Sequence, residues 1–483
     1  MEIHFTNINK IFFIGVLLFL AYPLNGIAQV KDATITINLH GVYESKISLL
    51  SLTGSGIFKP IKEAQGIKNG TTARLQVPKD SLPGEFVLRF DYKEKEASPP
   101  YPSEKYIFIS EQDLELWVNP KYCNNTDSTY FQKDERENTA FSKFAKENVK
   151  QKEKVGVLQN FLMNYDDRES KFYKQGIKEY EQRRQTYNQW QKNQAQQDKA
   201  LFVSHLYCFQ YVPETSWKGT ESKQIQNFID HFFDGTDFKD PLIIKTSDLK
   251  RWMDGYINLY GKLSTTLTLR DSLFSVAGRT AIEKAKQGHP LVYGWMVDYF
   301  YRGYETNGIT AGMKVLEPFL NDPNCLTSKR QEIARRLKGM ETLVAGSIAP
   351  NISLKDADDK LFELNTLKTQ CDFILILFWS AGCSHCMETV IALYPWQQQT
   401  AMQQKIKVVA ISLDESEEEI NAWKQKITEL KGWQHMNAPE GAQSKVASDY
   451  YVLATPVMVL LDAKTKEIVG IPNIPNELMK VLQ

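Results

Sequence analysis

The segment "FILILFWSAGCSHCMETV", Phe373–Val390, constrains its own folding more tightly than any other stretch of the chain. "FILILFW" (Phe373–Trp379) is a continuous apolar run, the pattern of a strand buried on both faces of a sheet. Cys383 and Cys386 follow it at the spacing of about one helical turn, so the pair is expected to open a helix. A helix start presents free N–H groups and the positive end of the helix dipole, and both favour a thiolate on Cys383. Two further buried strands are expected at "IKVVAIS" (Ile406–Ser412) and "PVMVLLD" (Pro456–Asp462), with "KEIVGI" (Lys466–Ile471) pairing with the latter. Between them Ser416 and Glu419 form a capping-box signature, opening a helix that buries Ile420, Trp423, Ile427 and Leu430. The alternation of strand and helix defines a C-terminal α/β domain over residues 344–483, with Val344–Leu354 as its linker and opening strand.

A chain of 483 residues exceeds one ordinary core, and the remainder divides by period. Residues 29–120 read as a β-sandwich-like domain. Runs such as Thr34–Leu39, Ile47–Leu52, Glu85–Tyr92, Tyr106–Ser110 and Leu114–Val118 alternate with Gly and Pro turns, suggesting a small antiparallel sandwich. Residues 121–343 read as an α-helical region. In Lys171–Trp190, Tyr173, Ile177, Tyr180 and Tyr187 fall near one helix face, the signature of a packed side. In Asn227–Thr246 the residues Asp230, His231, Asp234, Asp237 and Asp240 have metal-ligating chemistry, but they flank a turn and a proline and read as solvated helix ends.

Lys10 followed by the uncharged run Ile11–Tyr22 and the small-residue site Gly26-Ile27-Ala28 describes a secretory signal peptide over residues 1–28. The run is short of the roughly 20 residues needed to span a bilayer, so membrane attachment is expected only if the segment is not cleaved. The expected address is the periplasm or cell envelope, where thiol–disulfide chemistry is routine. Lys plus Arg (58) equals Asp plus Glu (58), which gives no electrostatic reason to expect nucleic acid as a partner. The other cysteines, Cys123, Cys208, Cys325 and Cys371, lie far apart, and sequence does not pair them.

From about residue 346 the sequence resembles the TlpA/ResA branch of thioredoxin-like thiol-disulfide oxidoreductases. The matching residues are Phe378-Trp379, Cys383-Ser384-His385-Cys386 and Ala454-Thr455-Pro456. The resemblance implies a thioredoxin-like fold, a redox-active Cys383–Cys386 disulfide in place of any cofactor or metal, and a cis-proline at Pro456 facing it. It also implies that Cys383 is the exposed nucleophile and Cys386 the buried resolving thiol, with Thr455 placed to tune the Cys383 thiolate. The region Ser416–Leu430 matches an insertion typical of the branch, and the exported β domain followed by helices resembles multidomain bacterial envelope proteins. Two positions depart from the pattern: Leu377 replaces the buried aspartate of thioredoxin, and Ile391 replaces a proline frequent in the branch.

His385 is expected to favour the Cys383 thiolate and make the disulfide more oxidising than thioredoxin's. A histidine here also occurs in DsbA and protein disulfide isomerase, at about −120 and −180 mV against about −270 mV for thioredoxin. The expected function is thiol–disulfide exchange with envelope proteins, as reductase or isomerase, with a redox partner that recharges the dithiol. The alternative is an envelope binding protein in which this domain senses redox state or is structural. An inert disulfide fits the strand, Trp379 and the downstream Thr-Pro poorly. A zinc site needs two further ligands, and sequence offers no second CxxC or HxxxH. A peroxiredoxin would want proline where Ile376 stands, although Ser380 fits its Thr/Ser position.

Overall fold

The computed structural model describes residues 31–54 and 56–482; the signal-peptide expectation lies outside the described residues. The N-terminal part is a sandwich of two sheets built from β1 (Ala33–Leu39), β2 (Glu44–Thr53), β3 (Ile57–Lys68), β4 (Thr72–Val77), β5 (Gly84–Lys93), β6 (Tyr101–Ile109), β7 (Leu114–Val118) and β8 (Thr129–Phe131). One sheet has the order β4-β1-β7-β8 and the other β3-β2-β5-β6. Alternating residues such as Ile35, Ile37, Leu116, Leu49, Leu88 and Phe90 fill the space between them. The sandwich is not purely antiparallel, because β1 and β7 run parallel. The second sheet ends on β3, whose lysines and Pro60 blunt an open edge. β8 extends the first sheet past residue 120.

The helical region begins with a hairpin of α1 (Glu137–Asn164) and α2 (Lys171–Gln197). Tyr173, Tyr180 and Tyr187 are buried along the α1-facing side of α2, so the aromatic stripe is packing. A second core joins α3 (Glu221–Asp230), α4 (Asp248–Leu263), α5 (Leu267–Lys286), α6 (Pro290–Asn307), α7 (Thr310–Leu320) and α8 (Arg330–Thr342). Acids of Asn227–Thr246 serve local ends. Asp240 caps the turn at Pro241 through Leu242 N at 3.0 Å and meets His205, and Asp234 meets His231 at 2.7 Å. Glu85 of β5 is buried and accepts from the Thr246 and Ser247 hydroxyls, each at 3.0 Å, fixing the start of α4 to the sandwich.

The C-terminal part comprises β9 (Ser353–Lys355), β10 (Leu361–Glu363), β11 (Phe373–Trp379), α9 (Ser384–Gln397), α10 (Thr400–Lys405), β12 (Ile406–Ser412), α11 (Glu417–Ile427), β13 (Gln434–Asn437), α12 (Lys445–Asp449), β14 (Val457–Asp462), β15 (Ile468–Gly470) and α13 (Pro475–Val481). Five strands form one sheet in the order β13-β12-β11-β14-β15. β11 runs parallel to β12 and antiparallel to β14. Strand alternation divides the central strand between two cores. Ile374, Ile376 and Phe378 pack on one face with Tyr450. Leu375, Leu377 and Trp379 pack on the other with Val390, Trp423 and Cys386. The Ser416–Glu419 capping box opens α11, which ends at Ile427 and fully buries Trp423 alone.

The opening segment differs from the sequence expectation. Gly346–Ala349 hydrogen-bonds along β15, while β9 pairs with β10 in a separate hairpin beside β13. Both sheet edges are therefore covered. Helix α8 meets this domain at Gly339, where a Cβ would lie 2.7 Å from Tyr451 Cβ, so a side chain there would press on the loop leading to Pro456.

Candidate active site

Central strand β11 ends at Trp379, and the chain turns through Ser380-Ala381-Gly382 into α9. The turn is anchored by Asp414, a buried carboxylate just past β12. It accepts from the Ser380 hydroxyl, from Ala381 N at 3.0 Å and from the Ser412 hydroxyl at 2.7 Å. Its backbone carbonyl also accepts from Asn437 Nδ2 at 2.9 Å. The sequence reading did not single out Asp414. Its signal was the parallel register, which sets Trp379 opposite Ser412 and so brings the residues beyond both strand ends together.

Cys383 is the N-cap residue of α9. Its Sγ accepts from Cys386 N at 3.3 Å, so the nucleophile candidate also satisfies a free helix-end amide. Cys383 is half-buried, Cys386 is fully buried, and both are free thiols. Cys386, Thr389, Val390 and Leu393 form the inward side of α9 at steps of three and four. Cys383 Sγ lies 3.8 Å from Thr455 O, and the Thr455–Pro456 peptide is cis.

The two thiols are shifted in opposite directions from the ordinary thiol range. Partial desolvation pushes the Cys383 thiol up, but hydrogen bonds from Cys386, its amide, the Thr455 side chain and the His385 backbone together hold it below the ordinary thiol range. Burial pushes Cys386 up to about 12, reinforced by its bond with Cys383. Leu377 lies in the same apolar cluster as Cys386.

His385 lies in the turn, but its imidazole points outward. Nδ1 meets Glu388 Oε2 at 3.1 Å, and both side chains are largely exposed. The part of His385 that reaches Cys383 is its backbone. Helical phase explains this, because Cys386 and Thr389 occupy the inward side and leave positions 385 and 388 facing solvent. Ile391 is exposed on the same helix, and Pro395 lies within it. The structure thus brings Cys383, Cys386, Thr455 and Pro456 together and leaves the His385 ring outside.

Thr455→Ala should remove a donor that favours the Cys383 thiolate. Alkylation of Cys383 by iodoacetamide near neutral pH is expected to slow by roughly threefold to tenfold, about one hydrogen bond's worth. Its pH profile should move toward higher pH; an unmoved profile would remove Thr455 from this role.

A profile described as thioredoxin-like matches residues 371–468. The C-terminal domain is thioredoxin-like. Solved structures similar to the chain include a thioredoxin-like protein from Bacteroides caccae, at 16% identity and a TM-score of 0.38. That alignment covers 56% of this chain and 97% of the other. The thioredoxin domain of a thiol-disulfide oxidoreductase from Bacteroides vulgatus is similar at 26% identity and a TM-score of 0.25, covering 29% of this chain and 96% of its own. A thiol:disulfide interchange protein from Bacteroides sp. is similar at 25% identity and a TM-score of 0.25, covering 29% and 89%. No curated protein matches the chain. Within the thioredoxin-like domain, the dithiol stands at the carboxyl end of the central strand, where an α/β sheet opens toward ligands.

Proposed function

We propose that the chain is an exported thiol-disulfide oxidoreductase that exchanges disulfides with envelope proteins through Cys383 and Cys386. The observation that carries this reading is the placement of the two sulfurs within one turn: half-buried Cys383 caps the N-terminus of α9, Cys386 lies fully buried beneath it, and the cis Thr455–Pro456 peptide stands against Cys383. The shifts of the two thiols, Cys383 down and Cys386 up, agree with it.

In the reducing direction, the Cys383 thiolate attacks a disulfide of the client. A Cys383–client disulfide forms, and the second client sulfur leaves as thiolate. Cys386 then gives up its proton, which passes through water to one client thiolate; the other takes its proton from solvent. Its sulfur attacks Cys383 Sγ and displaces the remaining client sulfur. Two electrons have moved from the dithiol to the client, and the domain is left with a Cys383–Cys386 disulfide that a partner dithiol must reduce. The same steps reversed oxidise a client. The His385 ring pairs with Glu388 in solvent and does not reach Cys383; the Cys386 thiol, the backbone amides and the Thr455 side chain favour the Cys383 thiolate instead.

The pH dependence follows in sign. A Cys383 pKa lowered from the ordinary thiol value lets the thiolate appear earlier as pH rises. The same depression stabilises the folded reduced form as pH rises through the Cys383 pKa toward the unfolded value, and this stabilisation is lost below that pKa. The test is insulin reduction with dithiothreitol by the purified chain. Activity is expected in the native protein and a fall to background with Cys383→Ser; activity surviving that substitution would sink the mechanism.

A further inference from the structure

A groove of about 1220 Å³ lies far along the chain from the dithiol, larger than the cavity of about 810 Å³ beside α5 and α7. It runs between the β6 and β8 ends of the sandwich and the first turns of α1, with the start of α4 closing one end. Its walls are aromatic: Tyr106 and Tyr130 are about half exposed, and the Phe108 and Phe141 rings pack tilted at 58° with centroids 4.6 Å apart.

Its charge is one-sided. Lys105, Lys133, Lys143 and Lys146 line it, and none forms a salt bridge among the described residues. The one acid in the lining, Glu85, already accepts from Thr246 and Ser247. Lys105 is the most constrained cation. Desolvation lowers its pKa, its Nζ donates to Cys123 O at 3.0 Å, and it lies 5.7 Å over the Phe131 ring. A partly desolvated ammonium with a carbonyl as its hydrogen-bond partner favours an anion beside it.

The backbone adds a second feature. β6 is the edge of its sheet, and Asn138 of α1 bonds Phe108 through both N–H and C=O, each at 2.8 Å. Two residues along, Tyr106 turns its N–H and C=O to the same side by strand alternation, and the described residues supply no partner for them. An extended chain laid along this edge would find a backbone partner at Tyr106, aromatic walls for its side chains and lysines for its carboxylates.

We propose that this groove binds an acidic polypeptide segment in extended conformation, as a docking site separate from the dithiol. The volume exceeds the roughly 300–1,000 Å³ of small-molecule clefts, which favours a peptide over a free carboxylic acid.

The test is fluorescence anisotropy of the full chain with a labelled twelve-residue peptide alternating Glu and Phe. Matched peptides carry Lys or Ser in place of Glu, and free glutamate serves as competitor. The Glu peptide alone should bind, more weakly as salt rises, and Lys143→Glu with Lys146→Glu should weaken it by about tenfold or more. Both lysines are exposed on α1, so circular dichroism should leave these variants native. Equal binding of the three peptides, unchanged binding by the double variant, or displacement by free glutamate at concentrations equal to the peptide's would overturn the proposal. The assay involves no thiol chemistry, so its failure leaves the dithiol mechanism standing, and the converse also holds.

Discussion

Cys386→Ala should turn the protein from a catalyst into a trap. Cys383 loses the hydrogen bond from the Cys386 thiol but keeps the backbone amides and the Thr455 side chain that favour its thiolate, so attack on a client disulfide should proceed. The sulfur that would resolve the mixed disulfide is gone. Covalent adducts sensitive to dithiothreitol are expected on non-reducing gels, while turnover in insulin reduction falls by roughly 10³-fold or more, the scale of losing a member of a catalytic unit. The substitution removes a buried sulfur from an apolar cluster, and alanine keeps that cluster dry, so the fold should persist. The adducts carry the further information: a recurrent client protein identifies a dedicated substrate, and adducts spread over unrelated proteins would argue against one. Native-like turnover by this variant would contradict the assignment of Cys386 as the resolving thiol.

Asp414→Ala is the second large effect, and it acts through position rather than chemistry. The carboxylate gathers the Ser380 hydroxyl, the Ala381 amide and the Ser412 hydroxyl beneath the turn that presents Cys383. Its removal leaves these donors facing a small void. Two or more unpaired donors at a buried site cost about 2–4 kcal/mol, which should appear as a lower urea midpoint for the reduced protein. A structural loss alone would leave the alkylation pH profile of the surviving folded fraction unchanged. Because the turn sets Cys383 against the helix end, that profile is expected to broaden and move to higher pH. Asp414→Asn, which keeps the shape and one acceptor, should recover most of both quantities. An unmoved profile in the alanine variant would reduce Asp414 to a purely structural residue.

How much of this could be read from the chain alone depended on how local the cause was. "FILILFW" announced a doubly buried strand because both faces of β11 meet hydrophobic cores. The cysteine pair and the capping box were legible for the same reason, since each is specified within a few residues. β3 was missed because it is a sheet edge, where lysines, a proline and a glycine interrupt the usual alternation. The parallel pairing of β1 with β7 has no local signature at all, since its cause is the packing of the whole sandwich. Asp414 became visible only through strand register. The outward turn of the His385 ring could have been found by continuing the phase of Cys386, Thr389, Val390 and Leu393 back by one residue.

The capping role of Cys383 has a consequence for how the protein can be observed. The amide of Cys386 is held by a sulfur whose capacity to accept changes when that sulfur becomes part of a disulfide. The first turn of α9 therefore reports electron count through its own protection. Deuterium uptake at that single amide, or its nitrogen-15 shift, follows the oxidation state without any added dye or cysteine label. A redox titration could be read from the backbone of the intact chain.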